Sequence, residues 1–203
     1  MILSGELAAG QRIVESRWAK QLGVGQPTVR EALVALEHQG LILRRSNQGA
    51  EVVSLSREEI QHALRVREEL EILAVVLATE SASPEDFEKL REISDAMDFA
   101  ASQKDATAFF ERDREWHAVL WAATGNSFLP KLLEQLMLPL FAFLFLRNVR
   151  HYCEVDLHRS AAAHLEMVEA MAGRNVTEAR SVALRHFSKF ASEHLEALAA
   201  SDL

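Results

Sequence analysis

A narrow apolar stripe is the first strong helical pattern along the chain. Val29, Leu33 and Leu36 recur at the spacing of one helix face. The preceding segment, Glu15–Leu22, predicts a short helix, and Gly23 and Gly25 are expected to form the turn between the two because glycine tolerates sharp bends. Pro27 is expected in the first turn of the second helix, where a missing N–H costs nothing. An ordinary amphipathic surface helix would carry the same stripe as the second helix of a helix-turn-helix. The segments that follow decide between these two interpretations.

The chain after this stripe changes its pattern from helical to β-prone. Leu41–Arg45 and Ala50–Val53 are β-prone runs separated by the polar turn Ser46–Gly49, which predicts a hairpin. Two short helices, a turn and a hairpin together form a winged helix-turn-helix. The first domain is therefore placed at residues 1–55.

Beyond residue 55 the pattern is helical throughout. Stop and start signals such as Ser83-Pro84-Glu85 and Thr124-Gly125-Asn126 separate the segments. The predicted helices cover residues 57–80, 84–102, 105–124, 126–152, 156–173 and 175–200. The predicted fold class is mostly α, with an N-terminal winged helix-turn-helix, including a small β wing, followed by an all-α antiparallel bundle at residues 56–203.

Net charge divides along the same boundary. The chain of 203 residues carries −8 overall, but residues 1–55 carry +1 and the remainder carries −9. Phosphate contact is therefore assigned to the first domain and a different task to the second. Because +1 is a weak charge for one DNA-binding domain, specific binding is expected to need a homodimer on a pseudo-palindromic duplex.

Composition favours a cytoplasmic protein. Cys153 is the only cysteine, which excludes an internal disulfide and favours a reducing compartment. The apolar run Leu136–Leu146 is interrupted by Pro139 and is too short to span a bilayer. No membrane partner is expected.

Candidate DNA contacts lie at the start of the second short helix and in the hairpin. Gln26, Thr28 and Arg30 crowd the helical turn that reaches base edges in helix-turn-helix proteins. The candidate wing contacts are Arg44, Arg45, Gln48 and Gly49.

This first domain resembles the N-terminal domain of the GntR family of bacterial transcriptional regulators over residues 5–53. The matching residues are Gly5-Glu6-Leu7, Gly10, Gly23-Val24, Val29–Leu33, Leu36-Glu37 and Gly40-Leu41. The resemblance implies that a further helix precedes Ser4, so the first helix of the domain is expected to be truncated. Gly25 and Gln26 stand where the family has serine and arginine, so the family's operator preference does not transfer.

One set of residues in the predicted bundle could bind a metal. Asp113 and His117 lie four positions apart on one helix face, and His164 and His186 lie on two later helices, each among apolar neighbours. One carboxylate and three imidazoles converging in a bundle core suit a divalent transition metal. Histidines in such positions are also common as ordinary core or surface residues, and spacing alone leaves both interpretations open.

Residues 58–196 resemble the FCD ligand-binding domain of one GntR subfamily. The matching residues are Arg67–Glu71, Asp113–His117, Gly125-Asn126, His164 and Ala179–His186. That subfamily uses an aspartate and three histidines as metal ligands, which implies a metal at Asp113, His117, His164 and His186. The expected metal is zinc, with nickel or manganese as alternatives.

The same resemblance implies a small organic acid as effector. Arginine matches a carboxylate with its forked guanidinium, which makes Arg67 the first candidate and Arg147 the second. An ion pair between Arg67 and Glu71, four residues apart, is the structural alternative, and both roles are compatible.

The sequence therefore predicts a ligand-responsive transcriptional regulator, more specifically a repressor, that binds double-stranded operator DNA. A metal-sensing regulator without an organic effector is one alternative. A helical metalloenzyme is another, although the sequence contains neither a Ser/His/Asp arrangement nor a glycine-rich phosphate loop. The expectation is that the chain is not an enzyme.

Overall fold

The computed structural model describes residues 7–38, 40–45, 49–150 and 156–200. These residues form eight helices and one three-stranded sheet, which confirms the predicted fold class. In chain order the elements are β1 (Arg12–Ile13), α1 (Glu15–Leu22), α2 (Gln26–His38), β2 (Ile42–Arg45), β3 (Gly49–Val52), α3 (Arg57–Ser81), α4 (Pro84–Ser102), α5 (Ala106–Ala122), α6 (Leu129–Arg150), α7 (Leu157–Ala172) and α8 (Val176–Ala200).

The elements divide into two compact units. The first comprises Met1–Ser56 and Gln135–Tyr152, and the second comprises Arg57–Glu134 and Cys153–Leu203. The second part of α6 therefore groups with the winged helix-turn-helix. The assignment of separate roles to residues 1–55 and 56–203 stays a prediction.

The sheet of the first unit includes a strand that the sequence pattern did not indicate. β2 and β3 form the predicted hairpin, and β1 pairs antiparallel with β3 on its other edge, placing Arg12 opposite Glu51. Two residues are too few to show an alternating pattern, so β1 depends on pairing with β3. The core beneath the sheet contains Ile13, Ala19, Val29, Leu33, Ile42 and Val52.

The turn between α1 and α2 depends on Gly23. Its φ of 68° lies in the left-handed region, and its backbone N–H donates to the carbonyl of Ala19, which ends α1. Gly25 was expected to share this role but does not have a positive φ. α2 begins directly afterwards at Gln26, with Pro27 in its first turn as predicted.

Gly40 follows α2 with a φ of 69°, and a Cβ atom there would lie 2.5 Å from the backbone of Leu138 in the same unit. We expect Gly40→Ala to lower the free energy of unfolding by about 2 kcal/mol or more, because strain and overlap add. Urea unfolding followed by circular dichroism measures the change. Gly173→Ala is the matched control, since Gly173 has a φ of −64° and its nearest Cβ contact is 3.5 Å; equal losses in both variants would contradict the prediction.

The second unit is a bundle whose helix starts follow capping chemistry. Ser83 and Asp86 form a reciprocal capping box at the start of α4. The side chains of Asp105 and Asp156 accept backbone hydrogen bonds at the starts of α5 and α7. α4 packs against α5 and α7, and α3 packs against α8. This packing brings α3, α5, α7 and α8 around one interior.

The helices of the described residues do not meet the requirements for crossing a membrane. None of them combines the length and the apolar character that a bilayer span requires.

Candidate functional site

Helices α5 and α7 bring three candidate metal ligands together. Asp113 and His117 lie one turn apart on α5, and His164 projects from α7 toward them. Their side chains are buried, with His117 and His164 at 0% and 2% relative exposure. One ligand atom from each residue lies within 4.8 Å of the other two. The predicted metal ligands Asp113, His117 and His164 are therefore close enough to share one ion.

The hydrogen bond of His164 directs one ring nitrogen into this group. Its Nδ1 lies 2.8 Å from the carbonyl oxygen of Ser160, and because a carbonyl only accepts, Nδ1 donates the proton. Nε2 then faces Oδ1 of Asp113 at 3.3 Å. A neutral imidazole would direct a lone pair at a carboxylate oxygen, so a proton or a metal ion has to lie between them. The donor set therefore fits a divalent metal.

His117 has a similar arrangement with a different partner. Its Nδ1 lies 3.1 Å from Oε1 of Glu71, whose other carboxylate oxygen accepts a 2.9 Å hydrogen bond from the indole N–H of Trp121. A carboxylate at Nδ1 holds the proton there and leaves Nε2 as the ligating nitrogen. That Nε2 lies 3.2 Å from Nη2 of Arg67. A guanidinium donor therefore lies beside the candidate ligand set.

Arg67 is held in the interior by charge and aromatic contacts. It is 2% exposed, and its Nε lies 3.6 Å from Oε1 of Glu71 on the next turn of α3. Its guanidinium carbon lies 4.4 Å from the ring centre of Phe190 and 5.4 Å from that of Phe187. The ion pair that the sequence offered as the alternative role of Arg67 is thus present, next to the candidate metal ligands.

The surrounding charges keep the buried carboxylates ionised. Burial raises the pKa of Asp113, but hydrogen bonding to His164 and the electrostatic effect of the neighbouring His117, His164 and Arg67 outweigh it and lower the pKa to about 2. The pKa of Glu71 is also lowered, because His117, Arg67 and Trp121 overcome the effect of burial. Both groups are therefore anionic at neutral pH, which suits cation binding.

His186 lies at the edge of this group. It is partly exposed, and its ring centre is 4.9 Å from that of His164. Burial, followed by the electrostatic effect of the neighbouring His164, Arg67 and His117, lowers the pKa of His186 well below the ordinary value. Neutral imidazole is the form that binds metals. His186 nevertheless stands outside the set of three whose ligand atoms lie within 4.8 Å of one another.

The candidate DNA-contact residues are exposed where their side chains are described. Gln26, Thr28 and Arg30 lie on the solvent side of the first part of α2, with Arg44 on β2 and Gly49 on β3. Gln48 lies outside the described residues, as do the side chains of Arg45 and of Arg147, the second candidate for the effector.

Residues 1–52 match the bacterial regulatory proteins of the gntR family, and residues 62–189 match the FCD domain. The chain belongs to the GntR regulators that carry an FCD domain. This GntR regulator is a transcriptional regulator and not an enzyme, as its families and relatives establish. The helical metalloenzyme is thereby excluded.

Curated relatives include the uncharacterized HTH-type transcriptional regulator YdhC of Bacillus subtilis, which is 26% identical over 97% of this GntR regulator and 86% of YdhC. The HTH-type transcriptional regulator McbR of Escherichia coli is 28% identical over 65% of the chain and 60% of McbR. The solved structure of E. coli McbR/YncC superposes with a TM-score of 0.76 at 21% identity, covering 96% and 92% of the two chains. At that identity the superposition supports the fold.

Two residues of the site were not identified from the sequence. The sequence predicts Glu71 only as an ion-pair partner of Arg67, and it predicts Trp121 only as a side chain that packs in the bundle. A signal for Glu71 is present, because a carboxylate within the apolar run Leu70–Leu77 requires a buried partner. No sequence spacing indicates that this partner includes His117, which is 46 positions away on another helix.

Proposed function

We propose that this GntR regulator is a repressor that binds operator DNA as a homodimer and responds to a small carboxylate in a metal-containing pocket. The observation that carries the proposal is the cluster of Asp113, His117 and His164, in which one ligand atom from each residue lies within 4.8 Å of the other two. Arg67, which is buried, lies beside this cluster. Buried charges are costly unless they are paired or bind a ligand. Such a cluster is therefore a strong candidate for the sensory site.

The metal would be held by Asp113, His117 and His164, with His186 as a fourth ligand. Zinc suits this mixture of imidazole and carboxylate, and nickel or manganese are alternatives. When bound, the ion supplies a positive centre for a carboxylate oxygen. Ser160 and Glu71 act at the opposite ring nitrogens, where they hold His164 and His117 in the required orientation.

Arg67 would bind the second part of the effector. Its guanidinium lies next to His117, and the rings of Phe187 and Phe190 keep it in place. A fixed guanidinium fork pairs well with a carboxylate. An acid bound between Arg67 and the metal would contact α3, α5 and α7 together, so it would favour one arrangement of these helices. Arg147 remains the second candidate.

DNA contact is proposed for the exposed residues of the first unit. Gln26, Thr28 and Arg30 would reach the major groove from α2, as the first residues of a recognition helix do. The wing contacts would come from Arg44, Arg45, Gln48 and Gly49. A change in the bundle would alter the spacing between the two recognition helices of the dimer, which couples effector and operator.

Arg30→Ala is expected to weaken binding to the cognate duplex by about 1–3 kcal/mol, because a forked contact to a base edge or phosphate is lost. Zinc binding should be unaffected, since Arg30 belongs to the first unit and the candidate ligands to the second. The duplex is first selected from a random library. Fluorescence anisotropy then gives the affinities of the unmodified protein and of the variant for this duplex. Arg17→Ala, which removes a charge from an exposed position on α1, is the control. An unchanged operator affinity in Arg30→Ala would contradict this docking.

A metal sensor without an organic effector is the second candidate. It is favoured by the ion pair of Arg67 with Glu71, because this pair gives the guanidinium a counter-charge without an organic anion. The affinity for the selected duplex is measured while zinc alone, or zinc together with succinate, malate or citrate, is added. A response to zinc that no acid changes supports the sensor, and a response that needs an acid supports the effector pocket. Indifference to both would contradict the proposed function.

A further inference from the structure

Three charged residues from three elements meet on the surface of the first unit. Glu15, in the first turn of α1, accepts hydrogen bonds from Nε of Arg30 at 3.1 Å and from Nη2 of Arg30 at 2.9 Å. The same carboxylate accepts a 3.3 Å hydrogen bond from Nη2 of Arg44 on β2. Nε of Arg44 also lies 4.0 Å from Glu37. One carboxylate thus connects the helix and the wing that carry the proposed DNA contacts.

We propose that Glu15 is a positioning residue for DNA selectivity, which fixes the guanidinium of Arg30 and aligns Arg44 with it. The inference rests on the proposed DNA-binding function of the first unit. Glu15 uses the Nε–Nη2 edge of Arg30, and Nη1 of Arg30 makes no hydrogen bond to any described residue. Because guanidinium has donors on two edges, the outer edge can address a guanine or a phosphate while the inner edge is held.

The ion pair between Glu15 and Arg30 is exposed, so we expect it to orient Arg30 rather than to stabilise the fold. The side chain of Arg30 is 60% exposed and that of Glu15 is 24% exposed. Ion pairs at such positions are screened by solvent and contribute little to folding stability. A flexible arginine, in contrast, loses conformational entropy when it is ordered on DNA, and a residue that orders it beforehand reduces that loss.

A second effect of Glu15 concerns DNA of the wrong sequence. Its carboxylate partly neutralises two arginines and repels phosphate oxygens, so it weakens contacts that depend on charge alone. Hydrogen bonds from Arg30 to the base edges of the cognate sequence depend on geometry, so they are weakened less. The expected consequence of Glu15 is a larger ratio between the affinities for cognate and random duplexes.

The test uses the full chain and a duplex enriched from a random library by the unmodified protein. Glu15→Gln should lower the ratio of cognate to random affinity by about tenfold, with a steeper salt dependence on random duplex. Glu15→Asp, which keeps the charge in the first turn of α1 but shortens the side chain, should also lower the ratio. Glu31→Gln is the control, since Glu31 is exposed on α2 without an ion pair among the described residues.

A double-mutant cycle decides whether Glu15 acts through Arg30. In an Arg30→Ala background, Glu15→Gln should lower the ratio by only about twofold, because only the effects through Arg44 and on phosphate remain. A normal ratio in Glu15→Gln, or equal gains in cognate and random affinity, would overturn the positioning role. Failure of the unmodified protein to enrich any duplex would instead overturn the DNA-binding proposal.

Discussion

Replacing His164 with alanine is expected to reduce zinc affinity by more than about 100-fold, because removing a ligand should exceed the 10–100-fold loss typical of residues that only orient ligands. His164 is buried, its Nδ1 is held by Ser160, and its Nε2 faces Asp113. The ion would then be held by fewer ligands. Mass spectrometry of the dialysed protein gives metal content, and competition with a chromophoric chelator gives the affinity.

His158→Ala is the matched control for this measurement. His158 lies on the same helix as His164, but its side chain is 55% exposed and its ring pairs with Asp98 at a distance of 2.7 Å. It should retain the one zinc ion per chain that we expect of the unmodified protein. Circular dichroism confirms that both variants are folded. Retention of tight zinc binding by His164→Ala, or the absence of zinc binding in the unmodified protein, would exclude the proposed metal centre.

The fold could be predicted from sequence to the extent that it depends on local signals. The stripe formed by Val29 and Leu33 and the capping box at Ser83 act within a few residues, so the helices they mark were placed nearly correctly. β1 was missed because its two residues depend on hydrogen bonds to β3, far along the chain. The grouping of the second part of α6 with the first unit was missed for the same reason.

The candidate site followed the same division between local and distant contacts. Asp113 and His117 were paired by their spacing on one helix, whereas their approach to His164 required the packing of α5 and α7. Glu71 lies on a third helix, and no pattern in the sequence indicated its contact with His117. The contact of Arg30 with Glu15 likewise joins two helices across a turn. Sequence therefore suggested the ligands but not the groups that hold them.

Replacing Arg67 with methionine is expected to lower the free energy of unfolding by about 3 kcal/mol, because it leaves the carboxylate of Glu71 buried without its cationic partner. Glu71 is fully buried, and Arg67 is 2% exposed beside it. Methionine has a similar unbranched shape, so little of the loss comes from packing. Trp121 continues to donate to Glu71, which places the effect at the lower end of the range for broken buried pairs.

Urea unfolding in the presence of a chelator measures this loss without a contribution from metal binding. Arg65→Met is the control, since Arg65 is exposed on the same helix and should change stability by less than about 0.5 kcal/mol. Adding Glu71→Gln to Arg67→Met removes the buried charge but keeps an oxygen acceptor for Trp121. This second change should recover more than half of the lost stability. A further loss instead would show that the charge of Glu71 is not the source of the instability, and that Arg67 stabilises the bundle through its contacts with Phe187 and Phe190.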